Sequence, residues 1–299
     1  MATSIISNAT TTAPHNSSIK RSALAVQECL AKADVETVDL LINTGLYRDD
    51  NIVEPAAAAL IQKHSGIGLE YQRHASTTLS FDLMNGPCGF LDAVELAGAI
   101  FGTTECRSVV IVSGDGHPSR SPHPDLSFPY LGSSAATLLM NSSDGSGFGW
   151  VYRAGSSPRS LLGYLDLTTM GVNGRTLITV DEPDAITREQ GQQIAIEVAA
   201  LCLETEGIDP ADCVLVASEP RPGFAKTVAA AVQIDQVVTP FTPGNPHTAA
   251  LPFAYQALLE AEPARTGGHA LFLATDGYYT AACAPYQLSS TDVLPGLAR

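Results

Sequence analysis

Two short segments carry the residues best suited to chemistry. Pro87-Cys88 stands near the start of NGPCGFLDAVELAGAIFGTTECRSVVIVSGDG, residues 85–116, and Pro246-His247 near the start of GNPHTAALPFAYQALLEAEPARTGGHALFLATDGY, residues 244–278. Each segment reads as a turn, an apolar helix, a polar break, a buried strand and an Asp-Gly corner. A thiol at one helix start and an imidazole at the other can perform acyl transfer, the thiolate attacking a carbonyl while the imidazole moves the proton. Proline suits a first helical turn, where its missing N–H costs nothing. Cys88 there meets the positive end of a helix, which favours thiolate, and nearby backbone N–H groups can hold an oxyanion. The same field keeps the His247 imidazole neutral, as a base requires.

Each of these residues also has a plainer reading. A one-residue shift turns a side chain by roughly 100° about a helix axis, which would leave Cys88 an inert core thiol. His247 can line or cap its turn without chemistry. Asn245 either caps the second helix or offers its amide to the site as a hydrogen-bond donor. Ser218 and Glu219 end a strand at the expected rim of the site. Glu219 becomes a base only if burial raises its pKa, and strand-end carboxylates are commonly solvated. Trp150 and the Tyr278-Tyr279 pair read as core or dimer contacts. His117, His123 and Asp125 are interrupted by prolines and lack a metal-ligand spacing, so no metal site is expected.

The elements that must position these residues also occur twice. SALAVQECLAKADVETVDLLINTG (22–45) has a counterpart in QQIAIEVAALCLETEGIDPADCVLVASE (192–219): a helix, an acidic turn and a short apolar strand. The first helix places Leu24, Ala25, Leu30 and Ala31 at helical spacing. VDLLIN (38–43), SVVIVS (108–113), CVLVAS (213–218) and HALFLA (269–274) are continuous apolar runs, as in strands buried on both faces. Strands alternating with helices predict α/β layers with largely parallel pairing. SSAATLLMNSSDGSGFGWVYRAG (133–155) predicts a hairpin closing the first half, with its turn at Asp144-Gly145. Residues 117–130, rich in Pro and Ser, predict a loop. Two similar halves are expected, 1–157 and 158–299.

Composition narrows the function. Of 299 residues, 45% are hydrophobic and 16% charged, enough for an extensive core, and the net charge is −15. With only 16 Lys and Arg spread along the chain, nucleic-acid binding is excluded, because counterion-driven affinity needs clustered positive charge. No run of 18 apolar residues predicts a membrane span, and the first residues lack a signal-peptide pattern. Six cysteines without a CxxC fit neither zinc nor a redox motif, so a reducing cytoplasm is expected.

FDLMNGPCGFLDAVELA (81–97), EPAAAALIQKHSGI (54–67), SVVIVSGDG (108–116) and GNPHTAALPFAYQAL (244–258) resemble, in order, segments of the thiolase superfamily. The resemblance is to the ketoacyl-ACP synthase III branch and its long-chain condensing relatives. It implies a five-layered αβαβα fold of two duplicated halves and a tight dimer with the 108–113 strand at its interface. It further implies acyl chains delivered on CoA or on acyl carrier protein phosphopantetheine, no permanently bound cofactor, and acyl transfer or Claisen-type condensation. The family's nucleophile position falls on Pro87, one residue before Cys88, and its His position falls on Ser218; its Asn is kept as Asn245. Cys88, His247 and Asn245 are the expected catalytic residues, with Ser218, Glu219, Phe90 and Gly277 around the substrate. Substitutions at two of three family positions also fit a noncatalytic protomer that pairs with an active ketosynthase paralogue.

Overall fold

A computed structural model describes residues 2–13, 17–69, 77–119, 128–142, 145–156, 163–164, 168, 177–261 and 268–288. Its first half runs β1 (Ala2–Thr11), α1 (Ser18–Lys32), β2 (Leu40–Asn43), α2 (Ala57–Ser65), β3 (Leu79–Asp82), α3 (Gly89–Thr103), β4 (Ser108–Asp115) and β5 (Ser133–Ser142). Short strands β6 (Gly147–Phe148), β7 (Tyr152–Gly155), β8 (Gly163–Tyr164) and β9 (Thr179–Val180) follow. The second half continues with α4 (Ala185–Glu206), β10 (Cys213–Ala217), α5 (Phe224–Ala231), β11 (Gln236–Val238), α6 (Ala250–Glu260), β12 (His269–Thr275) and β13 (Thr280–Gln287).

The duplication is written in the strand order. The first set runs β3-β2-β4-β5-β1, with β3, β2 and β4 parallel and the last two antiparallel. The second runs β11-β10-β12-β13-β7 with the same pattern of directions. Strand β6 joins the two by pairing with both β1 and β13.

Side-chain alternation along the central strands builds the layers. Leu41 and Val110 face outward onto α1 and α2, where they meet Val26, Cys29 and Ile61. Ile42, Val109 and Ile111 face inward and meet Leu91 and Val94 of α3 and Leu251 and Ala254 of α6. Leu215 and Leu271 face the opposite outer helices α4 and α5. Five layers result, helix–sheet–helix–sheet–helix, with both faces of each sheet covered. That is why these strands are continuous apolar runs rather than alternating ones.

Several expectations change. In α1 the expected Ala25 and Leu30 are buried, with Ile19, Ala23, Val26 and Cys29, while Leu24 and Ala31 are exposed. Residues 133–155 do not form a hairpin: β5 pairs with β4 and β1, and β7 pairs with β13 of the second set. The place beside β5 is taken by β1, a Ser- and Thr-rich segment whose Asn8 side chain accepts a hydrogen bond from Thr137 Oγ1 and donates one to the Pro252 carbonyl. The chain thus enters the second set of strands before residue 157. Asp144 and residues 157–160, the expected turn and boundary, lie outside the described residues. β4 is not an edge strand, since β2 and β5 flank it; among the described residues β3, where Leu79 is exposed, ends the first set of strands, and β11 ends the second.

One close approach between halves of the second unit is testable. Gly191 of α4 packs on the backbone of Gly277, and a Cβ at 191 would overlap the Gly277 carbonyl. Gly191→Ala is expected to cost about 1–3 kcal/mol of stability, the usual penalty of overpacking. A urea denaturation midpoint equal to wild type would contradict that contact.

Candidate functional site

The inner helices α3 and α6 begin beside a cavity of about 820 Å³. Pro87, Asn245 and His247 line it from the two helix starts, Tyr47 and Tyr130 from the first half, and Ser218 from the end of β10. The turn after β12 supplies Asp276, Tyr278, Tyr279 and Thr280. Tyr278 and Tyr279 face the cavity, Tyr279 being buried as the core reading expects, and Trp150 is exposed in the single chain.

His247 opens the 3₁₀ turn His247–Ala249 that leads into α6, with a left-handed φ of 47°. Non-glycine residues rarely adopt this region, and they persist there only where the surroundings enforce it. Asn245 does so here: its Oδ1 accepts the His247 backbone N–H at 2.8 Å. The imidazole Nδ1 stands 3.0 Å from Oδ2 of Asp115, the last residue of β4, which is fully buried. Asp115 Oδ2 also accepts Thr248 N–H at 3.0 Å and Thr248 Oγ1 at 2.5 Å, while Oδ1 accepts the N–H groups of Leu46 and Tyr47. Burial pushes the Asp115 pKa up, but His247 and these hydrogen bonds outweigh it and hold the group below the usual carboxylate range.

Because an ionised carboxylate only accepts, Nδ1 must donate, and a neutral ring then carries its lone pair on Nε2. Among the described residues Nε2 has no hydrogen-bond partner. Tyr130 lies over the ring at 4.0 Å between centroids, and Tyr47 stands at 5.3 Å. Burial, aided by the Asp115 charge, pushes the Tyr47 phenol up to about 12, and Tyr130 is raised as well. Both phenols stay neutral.

Cys88 is not brought to His247. It caps α3, is 3% exposed and does not line the cavity; its Sγ lies 3.7 Å from the Ala274 carbonyl and 3.8 Å from Thr280 Oγ1. Burial, with the Asp276 and Asp92 charges adding to it, pushes the thiol up to about 12. Desolvation therefore overrides the helix terminus, and the expected low thiol pKa is reversed. Pro87 holds the cavity wall that Cys88 misses by one residue. With iodoacetamide, the half-buried Cys106 is expected to label ahead of Cys88; preferential alkylation of Cys88 would contradict this placement.

The other candidates separate in the same way. Ser218 lines the cavity, but its hydroxyl accepts Thr275 N–H at 3.0 Å and faces the carbonyls of Leu273 and Thr275, which ties β10 to β12. Glu219 is half-buried and caps α5, accepting Gly223 and Ala225 N–H. Phe90 does not reach the cavity; it is 1% exposed in the inner core, edge-on to Phe148. Gly277 takes a φ of 81° in a turn closed by Asp276 Oδ1 on the N–H groups of Tyr278, Tyr279 and Thr280. It lets the turn form without itself touching the cavity. Arg221 donates to the Gly277 and Arg188 carbonyls beside the same turn. His123 and Asp125 lie outside the described residues.

Sequence reasoning missed Asp115, Tyr47 and Tyr130. Asp115 was visible only as an Asp-Gly corner, where a turn explains the residue sufficiently. No helix among the described residues is long and apolar enough to cross a membrane.

Two sets of strands of like order in five layers, with a cavity at the starts of the paired inner helices, constitute a thiolase-type fold of the ketoacyl synthase III kind. The chain is similar to 3-oxoacyl-(acyl carrier protein) synthase III, FabH, of Pseudomonas aeruginosa PAO1, with a TM-score of 0.79, 15% identity, and 97% of this chain and 99% of that one covered. It is similar to the corresponding synthase of Aquifex aeolicus VF5, with a TM-score of 0.77, 16% identity and coverage of 96% and 100%. OleA of Xanthomonas campestris, solved with lauric acid and lauroyl-CoA, gives a TM-score of 0.77, 16% identity and coverage of 96% and 99%. No family model and no curated protein matches the sequence.

Proposed function

We propose that this chain handles acyl thioesters, presented on CoA or an acyl carrier protein, in the cavity lined by Asn245 and His247. The reaction is acyl transfer or condensation. The observation that carries this reading is a buried carboxylate–imidazole pair at a cavity wall where the two inner helices begin. Asn245 supports it. With Oδ1 committed to the His247 N–H, its Nδ2 donates to no described residue and is left for a thioester carbonyl. Calorimetric titration with octanoyl-CoA, and separately with an octanoylated acyl carrier protein, tests the reading. Saturable binding weakened by Asn245→Ala is expected; no binding of either carrier would overturn it.

The burial of Cys88 favours a second reading, a noncatalytic protomer that pairs with an active ketosynthase paralogue. Co-expression would then yield a heterodimer whose activity survives Cys88→Ala. A homodimer that turns over acyl thioesters alone would defeat it.

A dimer is also proposed, for which the edge of β3 is suited. Exposed Leu79 and a row of backbone groups that, among the described residues, pair with no further strand make a strand-pairing edge. Light scattering at micromolar concentration is expected to give twice the mass of one chain. A monodisperse monomer would contradict the pairing.

A further inference from the structure

We infer that Asp115 and His247 form a general-base dyad that activates a hydroxyl nucleophile, water or an alcohol, for direct attack on the thioester carbonyl without a covalent acyl-enzyme. This inference rests on the acyl-thioester reading and goes beyond it by assigning the base, the acceptor class and the order of bond making.

The base is assigned by geometry. Asp115 fixes Nδ1 as the donor, leaving Nε2 as the proton acceptor, which is the role a buried carboxylate plays beside a catalytic imidazole. Tyr130 and Tyr47 pack on the ring, and the Asn245 hydrogen bond holds the backbone in its left-handed conformation. A solvated, structurally idle histidine would need none of these constraints.

The acceptor class follows from what surrounds the ring. Nε2 has no Cys, Ser or Thr partner among the described residues. Cys88 faces Ala274 and Thr280, the Ser218 hydroxyl sits among β-strand backbone groups, Thr248 donates to Asp115, and Thr275 donates to the Thr280 carbonyl. A base held ready without a side-chain nucleophile must act on a hydroxyl that arrives with solvent or substrate. The wall also carries Asp181, Glu182, which pairs with Arg188, and Asp276, whose Oδ1 closes its own turn, and none of the described lining residues is Lys or Arg. Asp181 and the second oxygens of the other two carboxylates offer acceptors for further hydroxyl groups.

The step balances as follows. Nε2 takes the hydroxyl proton while the nucleophile's oxygen bonds to the thioester carbon. The tetrahedral intermediate then collapses, the C–S bond breaks, and the imidazolium returns its proton to the departing thiolate. An ester or free acid and a thiol leave, and no oxidant or further reactant is consumed.

Thiol release from octanoyl-CoA tests the dyad, first in water and then with methanol, with methyl octanoate identified by mass spectrometry. His247→Asn is expected to slow both by roughly 100-fold or more, the usual range for a lost general base. Asn tolerates the left-handed backbone, so folding is preserved. Asp115→Asn is expected to slow release as well and, in ¹⁵N spectra of the His247 ring, to move the proton from Nδ1 to Nε2. Cys88→Ala is expected to keep the wild-type rate. The dyad is overturned if the wild-type ring carries its proton on Nε2, if His247→Asn keeps the rate, or if Cys88→Ala abolishes it. Absence of thiol release from wild type overturns it too; octanoyl-CoA binding without release then spares the thioester reading, while absence of binding removes both.

Discussion

Asp115→Ala is expected to destabilise the folded chain by about 3–5 kcal/mol, the range for stripping one partner from a buried charged network. The carboxylate is fully buried and accepts from Leu46, Tyr47, His247 and Thr248. Without it, those donors are left in a site that water enters with difficulty. Urea denaturation at neutral pH measures the effect, and a loss within about 1 kcal/mol, as for an ordinary surface change, would contradict the network. The pH dependence has a defined sign. Burial raises the Asp115 pKa, but His247 and the hydrogen bonds outweigh it, so its folded value lies below the unfolded one. A depressed carboxylate contributes its stability in full above the unfolded pKa and loses it as pH falls through the folded value. Acid should therefore destabilise wild type more steeply than Asp115→Ala, and the difference between them should shrink toward low pH.

Replacing His247 should cost more activity than stability, because Asp115 keeps its Leu46, Tyr47 and Thr248 donors. A positioned base contributes about 10²–10⁴ in rate. His247→Asn is accordingly expected to lower kcat by that factor while KM changes little, because the lost proton transfer belongs to the transition state. The melting temperature should move far less than for Asp115→Ala, since Asn accepts the φ of 47° that His247 adopts. A large rise in KM with kcat intact would make His247 a binding residue instead of a base.

The fold was legible in the sequence wherever burial was simple. The apolar runs at 38–43, 108–113, 213–218 and 269–274 report strands covered on both faces, and their repetition reports the two halves. β1 was hidden because Thr3 and Asn8 are buried polar side chains, Asn8 being satisfied by Thr137 and Pro252 far along the chain, so no apolar pattern marked it. The misread hairpin at 133–155 follows from that omission, since β5 needed a neighbour. At the site, Asn245 and His247 were visible because a turn before a helix places its residues predictably. Cys88 was legible only as an open choice between nucleophile and inert core thiol, because the same helix start puts one residue on the cavity wall and the next in the core. Asp115 was hidden for a different reason: its meaning lies in a contact with His247, 132 positions away.

Intact-mass spectrometry of the protein incubated with octanoyl-CoA tests the central claim most directly. The account predicts that free CoA accumulates while the protein mass stays unchanged throughout turnover. A stable octanoyl adduct on Cys88, or octanoyl-CoA recovered unconsumed, would contradict it.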